Sequence, residues 1–166
     1  MIAAQRDGRI LLSDNPFVNV PLLLLHALSA TLLLGAVSHQ ALALWLPARQ
    51  QPAGWWRALR AVHPERYTRA IVFLFCLTVL LGAINYLRFR LFVRADYLDA
   101  HAPWATGLFE LKEHAVAIGV AVLPAYWVVW REPSEARTRK ALTTLLTVVA
   151  WWGFLVGHVV NNIRGL

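Results

Sequence analysis

The sequence predicts an all-α integral membrane protein, a single four-helix transmembrane bundle over residues 1–166. Three observations carry this reading. The chain is 58% hydrophobic and only 15% charged, well away from the soluble average. Its apolar residues gather into four long runs separated by polar stretches. Its arginines sit at the ends of those runs, as expected of residues that orient helices in a bilayer and meet anionic lipid. The net charge of +7 is therefore assigned to the membrane. No basic stripe with interleaved aromatics points to a nucleic-acid surface, so nucleic acid is excluded as a partner. The single cysteine, Cys76, lies within an apolar run; it has no internal disulfide partner and is expected to be a buried, inert thiol.

Residues 1–16 are polar and of mixed charge, and Asp14-Asn15-Pro16 reads as a turn or cap before a helix. The apolar run that follows is too long for the core of a signal peptide. The first span covers about 17–46, with Pro21 placed in its first turn and Pro47 just beyond its end. It holds no charge from Pro21 to Leu46, more than the ~20 residues a bilayer requires. The connector 47–69 is basic; Trp55 and Trp56 beside Arg57 and Arg60 predict a short helix at the interface.

The second span covers about 70–90 and is expected to continue past the bilayer, followed by Asp96, Asp99 and His101. Pro103-Trp104 marks a break before the third span, about 105–130, which Pro124 is expected to kink. A short charged connector leads to the fourth span, about 141–163. There Gly153 and Gly157 form a GxxxG pattern, predicting a face that packs closely on another helix.

Four spans put both termini on one side. The two connectors between spans hold nine of the Lys and Arg residues and the other side seven. The chain is expected in a bacterial cytoplasmic (inner) membrane, and this imbalance favours connectors inside and both termini outside.

Function is read from polar residues at membrane depth, which are costly there and normally face a bundle interior, a cavity or a cofactor. The third span carries Glu110, Lys112, Glu113 and His114 within five positions, and Glu110 and His114 share a helix face with Ala117 and Ala121. Because successive spans alternate in direction, His26, His114 and His158 all fall on the terminus side, each roughly 8–12 Å below its helix end. Asn85, Asn161 and Asn162 lie near the same level. The three imidazoles are thus expected to converge.

Such a cluster has three readings. A b-type haem takes axial imidazoles from two helices at matching depth, and His26, His114 and His158 supply three candidates, with Gly157 and the alanines below His114 leaving room for a porphyrin. His39 follows His26 by thirteen residues, or about 220° of rotation, so one haem is favoured over two. Alternatively, His26, His114 and His158 with Glu110 or Glu113 bind copper or zinc. A weaker variant of this reading uses Asp96, Asp99 and His101. The third reading has no cofactor: the polar residues, with Lys112, Asn85, Asn161 and Asn162 in support, make helix–helix hydrogen bonds in an accessory subunit of a larger complex. The expected partners are membrane lipid and, for a redox protein, other membrane redox subunits or quinone. Whether the chain is an enzyme is left open.

The stretch Leu24-Leu25-His26-Ala27-Leu28-Ser29-Ala30-Thr31-Leu32-Leu33-Leu34-Gly35 resembles the first helix of copper-resistance D-like membrane proteins. It is also similar to the membrane protoporphyrinogen oxidase of many bacteria, a small four-helix haem protein. In that family a first-helix His and a third-helix Lys are the functional pair, and His26 and Lys112 fall at the corresponding places. Glu110 stands where the family has a His before its Lys. The resemblance implies a haem- or copper-related role in the membrane.

Overall fold

The computed structural model describes residues 16–45 and 63–164, with side chains from 19 to 163. The expected turn before the first span and the interfacial helix around Trp55 and Trp56 lie outside the described residues. The chain forms four long helices: α1 (Pro16–Trp45), α2 (Glu65–Arg88), α3 (Pro103–Val129) and α4 (Ala136–Arg164). α2 does not stop at the bilayer edge. It continues as a π-helical segment, Phe89–Leu98, and a last turn, Asp99–His101. Ala102 leaves the helical region, and Pro103 opens α3, where its missing N–H costs nothing. Pro21 lies inside α1 rather than in its first turn, because the helix already begins at Pro16.

Three stretches are long and apolar enough to cross a membrane: Asn19–Trp45, Glu65–His101 and Ala136–Ile163. α3 has 27 residues but carries Glu110, Lys112 and Glu113 in its first half. The protein is thus an all-helical bundle of membrane type. Many of its large apolar side chains face outward, among them Leu24, Leu28, Phe73, Leu80 and Leu155. Only 11% of the apolar window of α2 is buried within the chain. Lipid is as apolar as these side chains, so the helices associate through van der Waals packing and hydrogen bonds rather than hydrophobic burial. Cys76 is exposed on this outer surface, not buried as expected.

Side-chain hydrogen bonds fix the register. Late α1 meets early α2 where Gln40 Nε2 donates to the Pro64 carbonyl (3.0 Å) and to Thr68 Oγ1 (3.2 Å). Early α1 meets late α2 where the His26 Nδ1–H donates to the Thr78 carbonyl (3.1 Å) and Thr78 Oγ1 donates to Ser29 Oγ (3.1 Å). α1 and α2 are therefore antiparallel. So are α1 and α4, linked by Trp45 Nε1 to Thr144 Oγ1 (2.9 Å) and Trp151 Nε1 to Ser38 Oγ (3.0 Å). Late α3 reaches late α1 through the Tyr126 hydroxyl, which donates to Gln40 Oε1. α1 packs extensively against α2 and α4, and α3 against α4, while α2 and α3 touch sparingly.

Two clusters of buried apolar residues result. One, around Leu33, Val37, Ile71, Phe75, Leu123 and Leu146, fills the connector half. The other, around Leu98, Ala105, Phe109, Val156 and Val160, ties the π-helical segment to α3 and α4. The close helix approach is not at the GxxxG pattern. A Cβ on Gly157 would meet nothing within 4 Å, and one on Gly153 would make an ordinary 3.7 Å contact with Val116. Those two glycines border open space. Gly119 is the crowded one: a Cβ there would lie 2.5 Å from Phe75 Cζ and 3.1 Å from Val149 Cγ1.

Candidate functional site

Members of both clusters wall a cavity of about 460 Å³ in the terminus-side half. That volume lies within the range of roughly 300–1,000 Å³ typical of small-molecule sites. All four helices contribute. Phe75, Val79, Val116, Val149 and Phe154 form apolar walls, and the polar groups include His26, Asn85, Arg88, Lys112, Glu113, His158 and Asn161.

His26 is half-buried and its orientation follows from α2. A carbonyl oxygen has two lone pairs, so Thr78 can accept from His26 while serving its own helix. Because a carbonyl only accepts, Nδ1 carries the hydrogen, and in the neutral ring the lone pair resides on Nε2. Gly82 gives the ring its place: a Cβ there would lie 3.1 Å from His26 Cε1.

Lys112 is held on the opposite wall. Its Nζ lies 2.8 Å from Glu113 Oε1 and 3.9 Å from the centroid of the Phe109 ring. Phe109 in turn stacks on Phe89 (centroids 4.2 Å apart) and on Tyr86 (5.8 Å). The aromatic stack thus couples the end of α2 to the helix turn that positions Lys112. Arg88 lines the same cavity and forms no ion pair among the described residues.

The three expected imidazoles do not all arrive. His26 and His158 line the cavity, although His158 is exposed; His114 does not line it. His114 is exposed, and its Nδ1–H donates to the Glu110 carbonyl one turn back (2.7 Å). The reason is the rotation of α3. Its inward stripe is Ala105, Phe109, Lys112, Val116, Gly119, Leu123, Tyr126 and Trp130, with spacings of four and three. His114 is two residues past Lys112, about 200° around the helix. Glu110, Ala117 and Ala121 share its outward face and are exposed, so those alanines make no room for a porphyrin.

The carboxylates proposed as metal ligands are engaged elsewhere. Glu110 Oε1 accepts from Arg94 (2.7 Å), and Glu113 pairs with Lys112. Among the described residues no group of three or more His, Cys, Asp or Glu is placed to hold a metal ion. Asp99 is taken up by Arg94 (3.5 Å) and Thr106 (2.8 Å), and His101 stacks on Tyr97. Asn85 and Asn161 border the cavity, while Asn162 is exposed and donates to the His158 carbonyl (2.9 Å). His39 sits against Tyr67 in the connector half, away from this cavity.

The cavity suits a b-type haem in three respects. It offers an imidazole with a lone pair on Nε2, apolar walls for a macrocycle, and one cation without an ion pair among the described residues, Arg88, for a carboxylate, beside the Lys112–Glu113 pair. The roles of Thr78, Gly82, Arg88 and the aromatic stack were not foreseen from the sequence. Only the four-and-three spacing along α3 would have signalled which face of that helix turns inward. Comparison with family models, with curated proteins and with solved structures returned no match, so the functional reading rests on this geometry.

Proposed function

We propose that the protein is a small b-type haem protein of the membrane, with His26 as an axial ligand and a redox role. The observation that carries this reading is the His26–Thr78 hydrogen bond at the wall of a ligand-sized cavity. Ligating histidines almost always give their second ring N–H to a carbonyl or carboxylate, which fixes the tautomer and the ring. His158 on α4, which also lines the cavity, is the candidate for a second ligand. Arg88 would neutralise one haem carboxylate. When bound, the iron supplies one-electron chemistry, and the chain binds and orients the group and keeps water away. His26 and Lys112 also line one cavity, which supports the resemblance to the membrane protoporphyrinogen oxidases.

The test is an absorption spectrum of the purified protein, oxidised and reduced. A Soret band that shifts on reduction is expected, and it should persist in His114→Ala. A preparation that stays featureless after titration with haemin would end the haem reading.

In the same proposal the protein lies in a bacterial cytoplasmic membrane with both termini outside, on the count of nine basic residues against seven. With Cys76 replaced by serine, a cysteine at Arg137 should be protected from an impermeant thiol reagent in intact cells. Labelling from outside would invert the orientation.

A further inference from the structure

At the connector end, remote from His26, a second cavity of about 570 Å³ opens between early α2, the end of α3 and the start of α4. Three arginines face it: Arg69, Arg131 and Arg139. Glu65 is the one carboxylate among its lining residues, so the charges there sum to positive. None of the three arginines forms an ion pair among the described residues; the ion pairs found involve Arg94 and Lys112.

Two of these guanidinium groups are held without being neutralised. Arg131 lies 4.1 Å from the centroid of the Trp127 ring. Arg139 lies 5.6 Å from that of Trp130 and donates to the Pro133 carbonyl (3.0 Å). Stacking and a carbonyl fix a planar fork while leaving its charge available, the condition for recognising phosphate oxygens. The depth is also informative. Arg69 lies in the first turns of α2, Arg131 just past α3 and Arg139 in the first turn of α4, all where membrane spans end. Trp127 and Trp130 belong to the same level, as interfacial tryptophans do.

We propose that this cavity binds the phosphate of an anionic phospholipid from the connector-side leaflet. The lipid would bridge α2 to the α3–α4 turn, joining two helices, α2 and α3, that otherwise touch sparingly. Basic pockets between transmembrane helices take such headgroups, and each arginine near the surface is worth about a factor of five in affinity. This proposal is independent of the haem.

The test is native mass spectrometry of the detergent-purified protein with dioleoyl phosphatidylglycerol and dioleoyl phosphatidylcholine added together. The anionic lipid should dominate the adducts. Arg131→Gln/Arg139→Gln should weaken its retention roughly twenty-fivefold, and Arg94→Gln, at the far end, should not. Circular dichroism checks the fold; if the double variant does not fold, Arg69→Gln alone should weaken retention about fivefold. Equal retention of the two lipids, or undiminished retention in the arginine variants, would overturn the proposal. Displacement of the lipid by millimolar inorganic phosphate would assign the site to free phosphate instead.

Discussion

His26→Ala is expected to remove nearly all haem from the protein while leaving the bundle folded. The imidazole is half-buried at the cavity wall and its Nδ1–H is committed to Thr78, so no neighbouring residue on α1 can replace Nε2. An axial ligand lost without replacement removes the bond that holds the iron. The structural cost is smaller. One side-chain hydrogen bond to a carbonyl disappears, about 1 kcal/mol, and Thr78 keeps its helical partner. The measurement is the Soret absorbance per protein beside a thermal melt in detergent. Loss of the band with little change in melting fits a ligand. A band of full strength in His26→Ala would refute that assignment, whatever the melt showed.

Gly119→Leu should produce the largest loss of stability of any glycine substitution in the described bundle. Even a Cβ at that position would lie 2.5 Å from the Phe75 ring and 3.1 Å from Val149. Phe75 is 3% exposed and Val149 5%, so both are packed against other side chains over most of their surface and must shift to admit the new one. Overpacking of this kind costs about 1–3 kcal/mol and sometimes more. Both displaced residues also wall the cavity around His26, so the content of the proposed cofactor should fall with the melting temperature. Gly157→Leu is the informative contrast. Its Cβ would meet nothing within 4 Å, and the side chain would extend into the cavity. It should lower haem content with little effect on the melt of the cofactor-free protein. A Gly119→Leu variant that melts like the parent would mean that Phe75 and Val149 yield freely.

How far the sequence could be read varies with the kind of signal. The helices were legible because charge-free length is a strong signal: nothing but a long helix satisfies the backbone of residues 21–46 in lipid. Depth was legible too. Helix rise and alternating direction put His26 and His158 at one level, and both border the cavity. Azimuth was not. His114 lies at the right depth, yet its helix turns it outward, because the inward stripe of α3 passes through Lys112 and the unobtrusive Gly119. The GxxxG pattern misled for a related reason. Small residues permit close approach but do not require it, and at Gly157 the space they leave is empty. The Thr78 carbonyl, which orients His26, leaves no mark in the sequence because every residue has one.

The junction of Gln40, Tyr126, Thr68 and Pro64 has a consequence for assembly. Gln40 uses its amide oxygen and nitrogen on α3, on α2 and on the residue before α2, and Gln40 and Tyr126 are almost wholly buried. None of these four residues borders the cavity around His26. One end of the barrel of helices is therefore riveted by groups that need no cofactor. The other end is held by the stack of Tyr86, Phe89 and Phe109 and by Arg94 gripping Asp99 and Glu110. The molecule is like a clothes-peg: a hydrogen-bonded spring at the connector end and jaws closed by aromatic and ionic contacts at the other. The connector end is therefore expected to hold its fold whether or not the cavity at the other end is filled.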